Sequence, residues 1–265
     1  MGERRINPVN NIFNKYREMN LVNPYILGKN LTENLIAYYK LDGNGIDSTN
    51  LSPNAIASDI TYTAGKTGQA AVFDSGLDRL TIADTNNLSF TDGTNDIPFS
   101  ISLWVYFISF NSTGNWFINK RDTTPAINIS EWQLALINGS GLVLSKYISS
   151  SAANQSIRTL SNNPFSLNTW YLVTATDDGS KTNAGMKIYI NSVIQTVTNA
   201  NTGTYTGMTN TDKITSIGTL SQTGAINTAT THFGYMEDIA IWKNRILAQE
   251  DINYLYNGGN GRDIM

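Results

Sequence analysis

The chain has 265 residues, of which 40% are hydrophobic, and this length suffices for one large all-β domain with its own core. Only 15% of the residues are charged, the net charge is -3, and Lys and Arg do not cluster, so the composition excludes a phosphate-binding face and predicts no nucleic-acid partner. Cysteine is absent, which excludes disulfides and thiolate zinc sites, and no run of about 18 apolar residues predicts a membrane span.

Residues 1–30 differ in character from the rest of the chain. Apolar side chains recur there at helical spacing, and a turn-like, extended stretch follows at residues 23–28. A segment this short cannot bury its own apolar face, so it either packs back on the following domain or docks on another protein. We interpret it as an attachment arm ahead of a domain of residues 31–265. The side chains expected to anchor the arm are Ile12, Phe13, Tyr16, Met19 and Tyr25.

From Leu31 onward, short β-type runs alternate with clusters of Gly, Asn, Asp, Ser and Thr, a pattern typical of an antiparallel sandwich or barrel. The run at 99–107 places four apolar residues on one face and Ser102, Trp104 and Tyr106 on the other, so both faces carry bulk and a central strand is predicted. The predicted strands are residues 35–41, 69–73, 79–82, 99–107, 116–120, 131–137, 142–148, 170–176, 186–190, 214–217 and 235–242.

Two segments near the end depart from the β pattern. The Asn- and Thr-rich stretch 196–211 predicts a long connection or an edge hairpin. Further on, an apolar stripe that includes Leu247, Ile252 and Leu255 precedes Asn257 and two glycines, which predicts one short helix and its stop signal.

Five segments also carry a family resemblance over most of residues 31–262. In chain order they are LIAYYKLDGNGIDSTN, GKTGQAAVFDSGLDRLTI, FSISLWVYF, WYLVTATDDGSKTNAGMKIYIN and FGYMEDIAIWKNRILAQEDINYLYNGG. Together they resemble the laminin G-like jelly-roll domains of the concanavalin A-like superfamily. The resemblance implies two stacked antiparallel sheets with one short C-terminal helix. Ser192 replaces the usual turn glycine and Ala248 the usual helix-capping Ser or Thr, and neither change is expected to alter the fold.

The groups that catalyse hydrolysis are scarce. His232 is the sole histidine, and without cysteine a nucleophile and base pair is not indicated. Some concanavalin A-like folds are glycosidases, which need two carboxylates on one face of a cleft. Glu237 and Asp238 are neighbours on a predicted strand, so we expect them to point to opposite faces. The sequence therefore predicts a protein that is not an enzyme.

The resemblance implies a structural calcium ion, because many relatives bind one through carboxylates and backbone carbonyls. The matching positions are Asp42 and Asp47 after the first strand and Asp238 in the last strand. The alternative is that Asp42 and Asp47 cap turns while Asp238 accepts hydrogen bonds from buried backbone.

A sugar site on such a sandwich needs an aromatic ring with a free face and polar groups beside it. Trp104, Trp170 and Trp242 lie in the family-matching strands and are expected in the core. Trp116 and Trp132 flank the loop 120–124, so they are the candidate ligand residues, together with Arg121 and Asp122. The alternative is that both rings are half-buried packing residues.

Three functions fit these observations. The first is a bacteriophage virion surface protein, such as a capsid decoration, head-fibre or small tail protein, because the basic start is not followed by a secretion-type apolar run. In that case residues 1–30 would contact other virion proteins, the sandwich would adhere to a cell-surface glycan, and a homo-oligomer such as a trimer is expected. The second is a secreted or cell-surface bacterial carbohydrate-binding module. The third is a glycosidase or lyase on the same fold.

Overall fold

The computed structural model describes residues 30–123, 128–138, 140–149, 155–222, 225–226 and 228–265. Within it, Thr32–Met265 form one compact unit. The predicted anchoring residues Ile12, Phe13, Tyr16, Met19 and Tyr25 lie outside the described residues, so their role stays a prediction. Across the described part of the chain, no helix is long and apolar enough to cross a membrane.

Two eight-stranded antiparallel sheets form a sandwich, which confirms the predicted fold class. In sheet 1 the last strand of the chain is central. One of its edges pairs with one strand, and its other edge pairs with two strands. The order of sheet 1 is β13 (Val193–Ile194), β12 (Met186–Ile190), β11 (Trp170–Asp177), β6 (Phe99–Ser109), β18 (Phe233–Lys243), β4 (Gln69–Phe73) and β3 (Thr61–Ala64), with β1 (Leu35–Tyr39) also paired to β18.

Sheet 2 lies across the core from sheet 1 and contains the longest hairpins of the fold. Its order is β14 (Val197–Asn199), β10 (Gln155–Ser161), β9 (Gly141–Ile148), β8 (Asn128–Ile137), β7 (Gly114–Thr123), β15 (Thr215–Ile217), β5 (Arg79–Ile82) and β2 (Ile56–Ser58). A separate two-stranded ribbon consists of β16 (Ser221–Gln222) and β17 (Ala225–Ile226).

Strict alternation of side chains builds the core between the two sheets. On β6, the residues Ile101, Leu103 and Val105 belong to one cluster of buried side chains, which also receives Leu134 and Leu144 from sheet 2. Because successive residues of a strand point to opposite faces, the residues between them lie on the outer faces of the sheets. The central position predicted for β6 is confirmed by its pairing with β11 and β18.

The predicted C-terminal helix is α1 (Gln249–Tyr256), and it covers part of the outer face of sheet 1. Ile252 and Leu255 are buried, and the Tyr256 ring stacks on Trp104 with centroids 6.0 Å apart. At the N-terminus of the helix, the Asp251 carboxylate accepts the backbone N–H of Ala248 at 3.0 Å. This bond is one half of a capping box, and the other half, in which a Ser or Thr side chain accepts a backbone N–H of the first turn, is missing at Ala248.

Two lysines lie fully inside the sandwich, and both are paired with carboxylates. Lys146 Nζ lies 2.8 Å from Asp96 Oδ2 and 2.9 Å from Asp177 Oδ2, and all three side chains are buried. Burial raises the pKa of Asp177 to about 6, against the opposing effect of the Lys146 charge. Lys120 likewise pairs with Glu131 at 2.9 Å. A buried charge needs such a partner, because desolvation of an isolated charge is very unfavourable.

The stretch 196–211 begins as the edge strand β14 and continues without further strands. It is fixed to the core by the same buried cluster, since Tyr205 Oη donates to Asp96 Oδ2 at 2.6 Å and the backbone N–H of Met208 donates to Asp96 Oδ1 at 2.7 Å. Of the two predicted alternatives, a long connection and an edge hairpin, the stretch after β14 is the long connection, and Asp96 ties it to the core.

Candidate functional site

A cavity of about 430 Å³ opens at one end of the sandwich, between the loops that follow β6, β8 and β10. No charged residue lines it among the residues that the structure describes. Its volume falls in the range of small-molecule sites, which is large enough for one or two sugar rings. We call it the asparagine pocket, and the lining residues used below are Phe110, Asn111, Asn115, Asn138, Asn162 and Asn163.

Hydrogen bonds from the amides hold the walls of the asparagine pocket together. Asn111 Nδ2 donates to the carbonyl oxygens of Thr228 and Thr231 at 3.0 and 3.2 Å. Asn138 Nδ2 donates to the carbonyl oxygen of Ser112 at 2.8 Å. These bonds connect the loop after β6 to the loop after β8 and to the segment before β18, so they fix part of the pocket wall.

Two side chains of the pocket remain available to a ligand. Phe110 is 41% exposed, and its ring is tilted against Phe107 with centroids 5.1 Å apart. The Asn162 side chain is exposed and makes no hydrogen bond to the described residues. An exposed ring beside free amide groups can pack on the apolar face of a sugar and bind its hydroxyls. Sequence reasoning missed this pocket, because its residues come from three loops with no shared motif.

A row of polar side chains crosses the outer face of sheet 2. The row alternates with core residues on each strand, and its members are direct neighbours in the strand register. Asn119 Oδ1 and Ser216 Oγ are buried there without a hydrogen-bond partner. We call it the polar row, and from β15 to β10 it consists of Ser216, Asn119, Gln133, Ser145 and Arg158.

Two of the predicted ligand residues, Trp116 and Arg121, contact the polar row. Trp116 Nε1 donates to Gln133 Oε1 at 3.1 Å, and Arg121 Nη1 donates to the same oxygen. Trp116 is however only 5% exposed and packs against Leu220. Its ring therefore has no free face for a sugar, and the prediction of an exposed platform at Trp116 is wrong.

The other two predicted ligand residues are buried away from this face. Trp132 has no exposed surface, lies in the main core cluster, and donates from Nε1 to the carbonyl oxygen of Leu88 at 2.8 Å. The alternation of β8 turns it toward the core while Gln133 faces outward. Asp122 is 5% exposed. The prediction of a sugar platform at Trp132 is therefore wrong as well, because its ring lies in the core.

Three aromatic rings form a row on the outer face of sheet 1. Tyr106 is directly opposite both Trp170 and Tyr235 in the register, and all three residues are half-buried. The centroids of the Tyr106 and Tyr235 rings lie 5.0 Å apart with an interplanar angle of 16°, so each ring covers one face of the other. Trp104 and Trp242 are buried as predicted, but the core prediction for Trp170 is wrong. This row is a cross-strand ladder that stabilises sheet 1.

The three carboxylates proposed for calcium do not form a common site. Across the described residues, no group of three or more His, Cys, Asp or Glu side chains is placed to hold a metal ion. Asp42 is exposed and accepts the backbone N–H of Gln69 at 3.0 Å. The two oxygens of Asp47 accept five hydrogen bonds, from Tyr38, Thr49, Leu51 and Ser52.

Each oxygen of Asp238 also accepts a hydrogen bond, from the hydroxyl of Tyr38, at 2.6 Å, and from that of Thr67. The turn-capping alternative therefore describes Asp47, while Asp238 binds side-chain hydroxyls instead of the backbone expected for it. The donor set does not fit a calcium ion, because the three carboxylates do not converge and the buried ones accept hydrogen bonds from protein donors.

Glu237 and Asp238 face the same turn, so the prediction that they point to opposite faces is wrong. A β-bulge in β18 between Glu237 and Ala240 places Asp238 at a φ of 52°, which breaks the alternation. Glu237 Oε1 accepts the backbone N–H groups of Lys66, at 2.6 Å, and Thr67, at 3.2 Å. Asp238 reaches the hydroxyl of the same threonine.

Burial sets the chemistry of this carboxylate pair. Desolvation, with a further contribution from the Asp238 charge, raises the pKa of Glu237 to about 8. Desolvation also raises the pKa of Asp238. The turn covers them tightly, since a Cβ at Gly65 would lie 1.7 Å from Glu237 Oε2. A neutral Glu237 under this turn is fully buried and contributes to packing.

His232 lies in an aromatic cage between the sheets. It has no exposed surface, and its ring contacts Phe73, Phe107 and Phe117 edge-on. Nε2 lies 3.0 Å from the carbonyl oxygen of Tyr106, while burial lowers the pKa of the ring to about 4. The imidazole is therefore neutral near pH 7 and serves as a core residue.

One family model matches most of the domain. It is Laminin_G_3, described as the concanavalin A-like lectin/glucanases superfamily, and it matches residues 74–253. No curated protein matches the chain.

Solved structures with similar folds include both binding domains and an enzyme. Domain 4 of AbnA, a GH43 extracellular arabinanase from Geobacillus stearothermophilus, seen with arabinotriose, has a TM-score of 0.57 and 16% identity over 83% of this chain and 97% of that one. The binding domain of Paraclostridial Mosquitocidal Protein 1 has a TM-score of 0.63 and 15% identity, over 86% of this chain and 53% of that one.

The sialidase of Trypanosoma rangeli, in complex with a sialic acid derivative, has a TM-score of 0.58 and 14% identity over 88% of this chain. The present chain spans about half of the mosquitocidal binding-domain chain and about a third of the sialidase, with 53% and 34% coverage. At these identities the likenesses establish the fold alone.

Proposed function

Because the chain belongs to the laminin G-like group of the concanavalin A-like lectin/glucanases superfamily, we propose that it binds glycans without catalysis and does so on the surface of a virion. The observation that carries the binding proposal is the asparagine pocket, with its exposed Phe110 ring and its uncharged lining. A neutral glycan suits this lining, since amides bind hydroxyls and the ring covers apolar C–H groups. The arabinotriose complex of a similar domain supports the same class of ligand.

The absence of catalysis is part of the proposal. Its support is the burial of Glu237 and Asp238, the adjacent acids of β18, beneath the turn at Lys66 and Thr67. A glycosidase pair must instead reach the scissile bond from opposite sides with room for a water molecule or a covalent intermediate. The sialidase likeness keeps an enzyme as the alternative, and it concerns the fold only.

Replacing Phe110 with alanine should weaken glycan binding at least tenfold, because the ring supplies the apolar contact of the pocket. A glycan array followed by calorimetry on the best neutral oligosaccharide measures this. Asn162→Ala should act in the same direction through the loss of a free amide. The control is Ile108→Ala, which removes a side chain of similar exposure, 43%, that does not line the pocket.

Two results would contradict the binding proposal. One is an array without any neutral ligand, and the other is a ligand whose affinity is the same for Phe110→Ala and the unchanged protein. Release of reducing sugar from a bound glycan would instead contradict the proposal that the protein is not an enzyme.

The virion setting is proposed for the whole chain, with residues 1–30 as the segment that contacts other virion proteins. It is supported by the composition of the sandwich, which is rich in Asn, Ser and Thr and carries few charges. A homo-oligomer, with a trimer as the simplest form, suits the symmetric sites of a virion. The alternative setting is secreted or on a bacterial cell surface, as for the extracellular arabinanase domain.

Deleting residues 1–30 should leave a folded protein that no longer incorporates into virions, because Thr32–Met265 form a compact unit by themselves. Far-ultraviolet circular dichroism tests whether the deletion variant is folded. Mass spectrometry of purified particles tests whether it is incorporated into virions. A deletion variant that fails to fold would show that the arm packs on the sandwich. Full-length protein found only in the culture medium would favour the secreted alternative.

A further inference from the structure

Among the residues that the structure describes, the two fully buried lysines are paired with carboxylates, whereas two partly buried arginines on the outer face of sheet 2 are not. Lys120 and Lys146 each contact carboxylates within 3 Å, and Arg245 lies 3.4 Å from Asp251. Arg121 and Arg158 form no ion pair with any described acidic residue. Desolvated cations without counter-charges are rare unless something else supplies the anion.

Arg121 is held in one position by three contacts. Its Nε donates to Ser130 Oγ at 2.9 Å, and its Nη1 donates to Gln133 Oε1 of the polar row. The guanidinium carbon also lies 4.6 Å from the centre of the Tyr147 ring, a cation–π contact. Nη2 makes no hydrogen bond to the described residues, so both of its N–H donors on a fixed guanidinium group remain free.

Arg158 is next to this group at the end of the polar row. In the strand register, Arg158 is opposite Ser145, and Ser145 is opposite Gln133, the residue that Arg121 contacts. Arg158 Nε is buried and has no hydrogen-bond partner. Burial, and to a lesser extent the charge of Arg158, hold the pKa of Arg121 below its usual value. The two positive charges therefore destabilise each other when the site holds no anion.

We propose that Arg121 and Arg158 bind the carboxylate of an acidic sugar on the outer face of sheet 2. Guanidinium groups match a carboxylate because their planar donors form two parallel hydrogen bonds to its oxygens. The site is separate from the asparagine pocket, and it rests on the proposed function only in that its ligand is again a glycan.

Calorimetry with the full chain tests the site with two acidic probes, a galacturonic acid trisaccharide and the methyl glycoside of a sialic acid. The matched ligand control for each is its methyl ester, which keeps the sugar and removes the negative charge. We expect at least one acid to bind at least tenfold more tightly than its ester, because hydrogen bonds between charged partners contribute about that much. Raising the salt concentration should weaken binding of the acid and leave that of the ester unchanged.

Arg158→Gln should reduce the affinity for the acid at least tenfold and leave the melting temperature equal or higher, since it removes one of two unpaired positive charges. Arg121→Gln should reduce the affinity similarly. The matched protein control is Arg79→Gln on β5 of the same sheet, whose guanidinium donates to the Leu77 carbonyl oxygen at 2.9 Å and lies outside the polar row. This control should bind the acid as the unchanged protein does.

The proposal is overturned if neither acid binds, if acid and ester bind equally, or if Arg158→Gln keeps full affinity. Binding of a sulfated oligosaccharide in preference to both acids would also overturn it. Neutral-glycan binding that depends on Phe110, without binding of acids, keeps the proposed function and removes this inference. Acid binding that depends on Arg158, together with no binding of neutral glycans on the array, keeps this inference and removes the proposed neutral-glycan function.

Discussion

Replacing Lys146 with methionine should lower the free energy of unfolding by about 4 kcal/mol at pH 7. The substitution leaves Asp96 and Asp177 buried without the ammonium group that lies 2.8 and 2.9 Å from them. Two adjacent buried carboxylates repel each other and have lost their solvation, so folding would require at least one to become protonated. Urea denaturation followed by tryptophan fluorescence measures the loss.

The loss at Lys146 should depend on pH with a definite sign. Without the lysine, the pKa of Asp177, which burial already raises to about 6, rises further above the unfolded value, so folding takes up a proton and the variant regains stability as the pH falls toward 5. Adding Asp177→Asn to Lys146→Met should restore part of the stability, because one negative charge is removed. Lys187→Met, on the exposed face of β12, is the control and should change the free energy by less than about 0.5 kcal/mol. A loss of that small size for Lys146→Met would show that the cluster is not buried as described.

Glu237→Gln should flatten the pH dependence of stability between pH 5 and pH 8. In the folded protein the pKa of Glu237 is raised to about 8, compared with 4.5 for the free side chain. Between these values the unfolded chain loses the proton while the folded chain keeps it, so the stability of the unchanged protein falls as the pH rises through this window. The expected fall is on the order of 4 kcal/mol, and glutamine, which does not ionise, should not show it.

The measurement is the difference in unfolding free energy between Glu237→Gln and the unchanged protein at pH 5 and pH 8.5. Other titrating groups are common to both proteins, so they cancel in the difference. The variant should be similar at pH 5 and more stable at pH 8.5. Glu250→Gln, at the exposed start of α1, should follow the unchanged protein at both values. Parallel pH profiles for Glu237→Gln and the unchanged protein would rule out a buried neutral acid at this position.

The sequence predicted the strands well where burial alone determines which side chains are apolar. The alternation of Ile101, Leu103 and Val105 is governed by burial alone, and the observed β6 confirms it. The short edge strands β2, β3, β13 and β14 were missed, because edge residues are mostly exposed and carry little hydrophobic pattern. Strand β10 was missed since its outward positions include Arg158.

The candidate sites were harder to predict, because they depend on register and on bulges. One extra residue in β18 turns Asp238 toward the same side as Glu237, and no local pattern in the sequence marks it. The polar row requires the pairing of five strands before its members become neighbours. Trp116 was predicted as a ligand residue, but its ring packs against Leu220, about 100 residues later in the chain, a contact that the local sequence does not indicate.

The central position of β18 in sheet 1 has a consequence for synthesis on the ribosome. This strand joins β6 to β4 and β1, yet it is the last strand to be made and pairs with β1 across about 200 residues of sequence. Sheet 1 therefore remains divided, with unpaired strand edges, until β18 has been synthesised. The nascent chain must be protected from self-association during that interval, and a shortened chain that ends before Phe233 would lack the centre of its sheet.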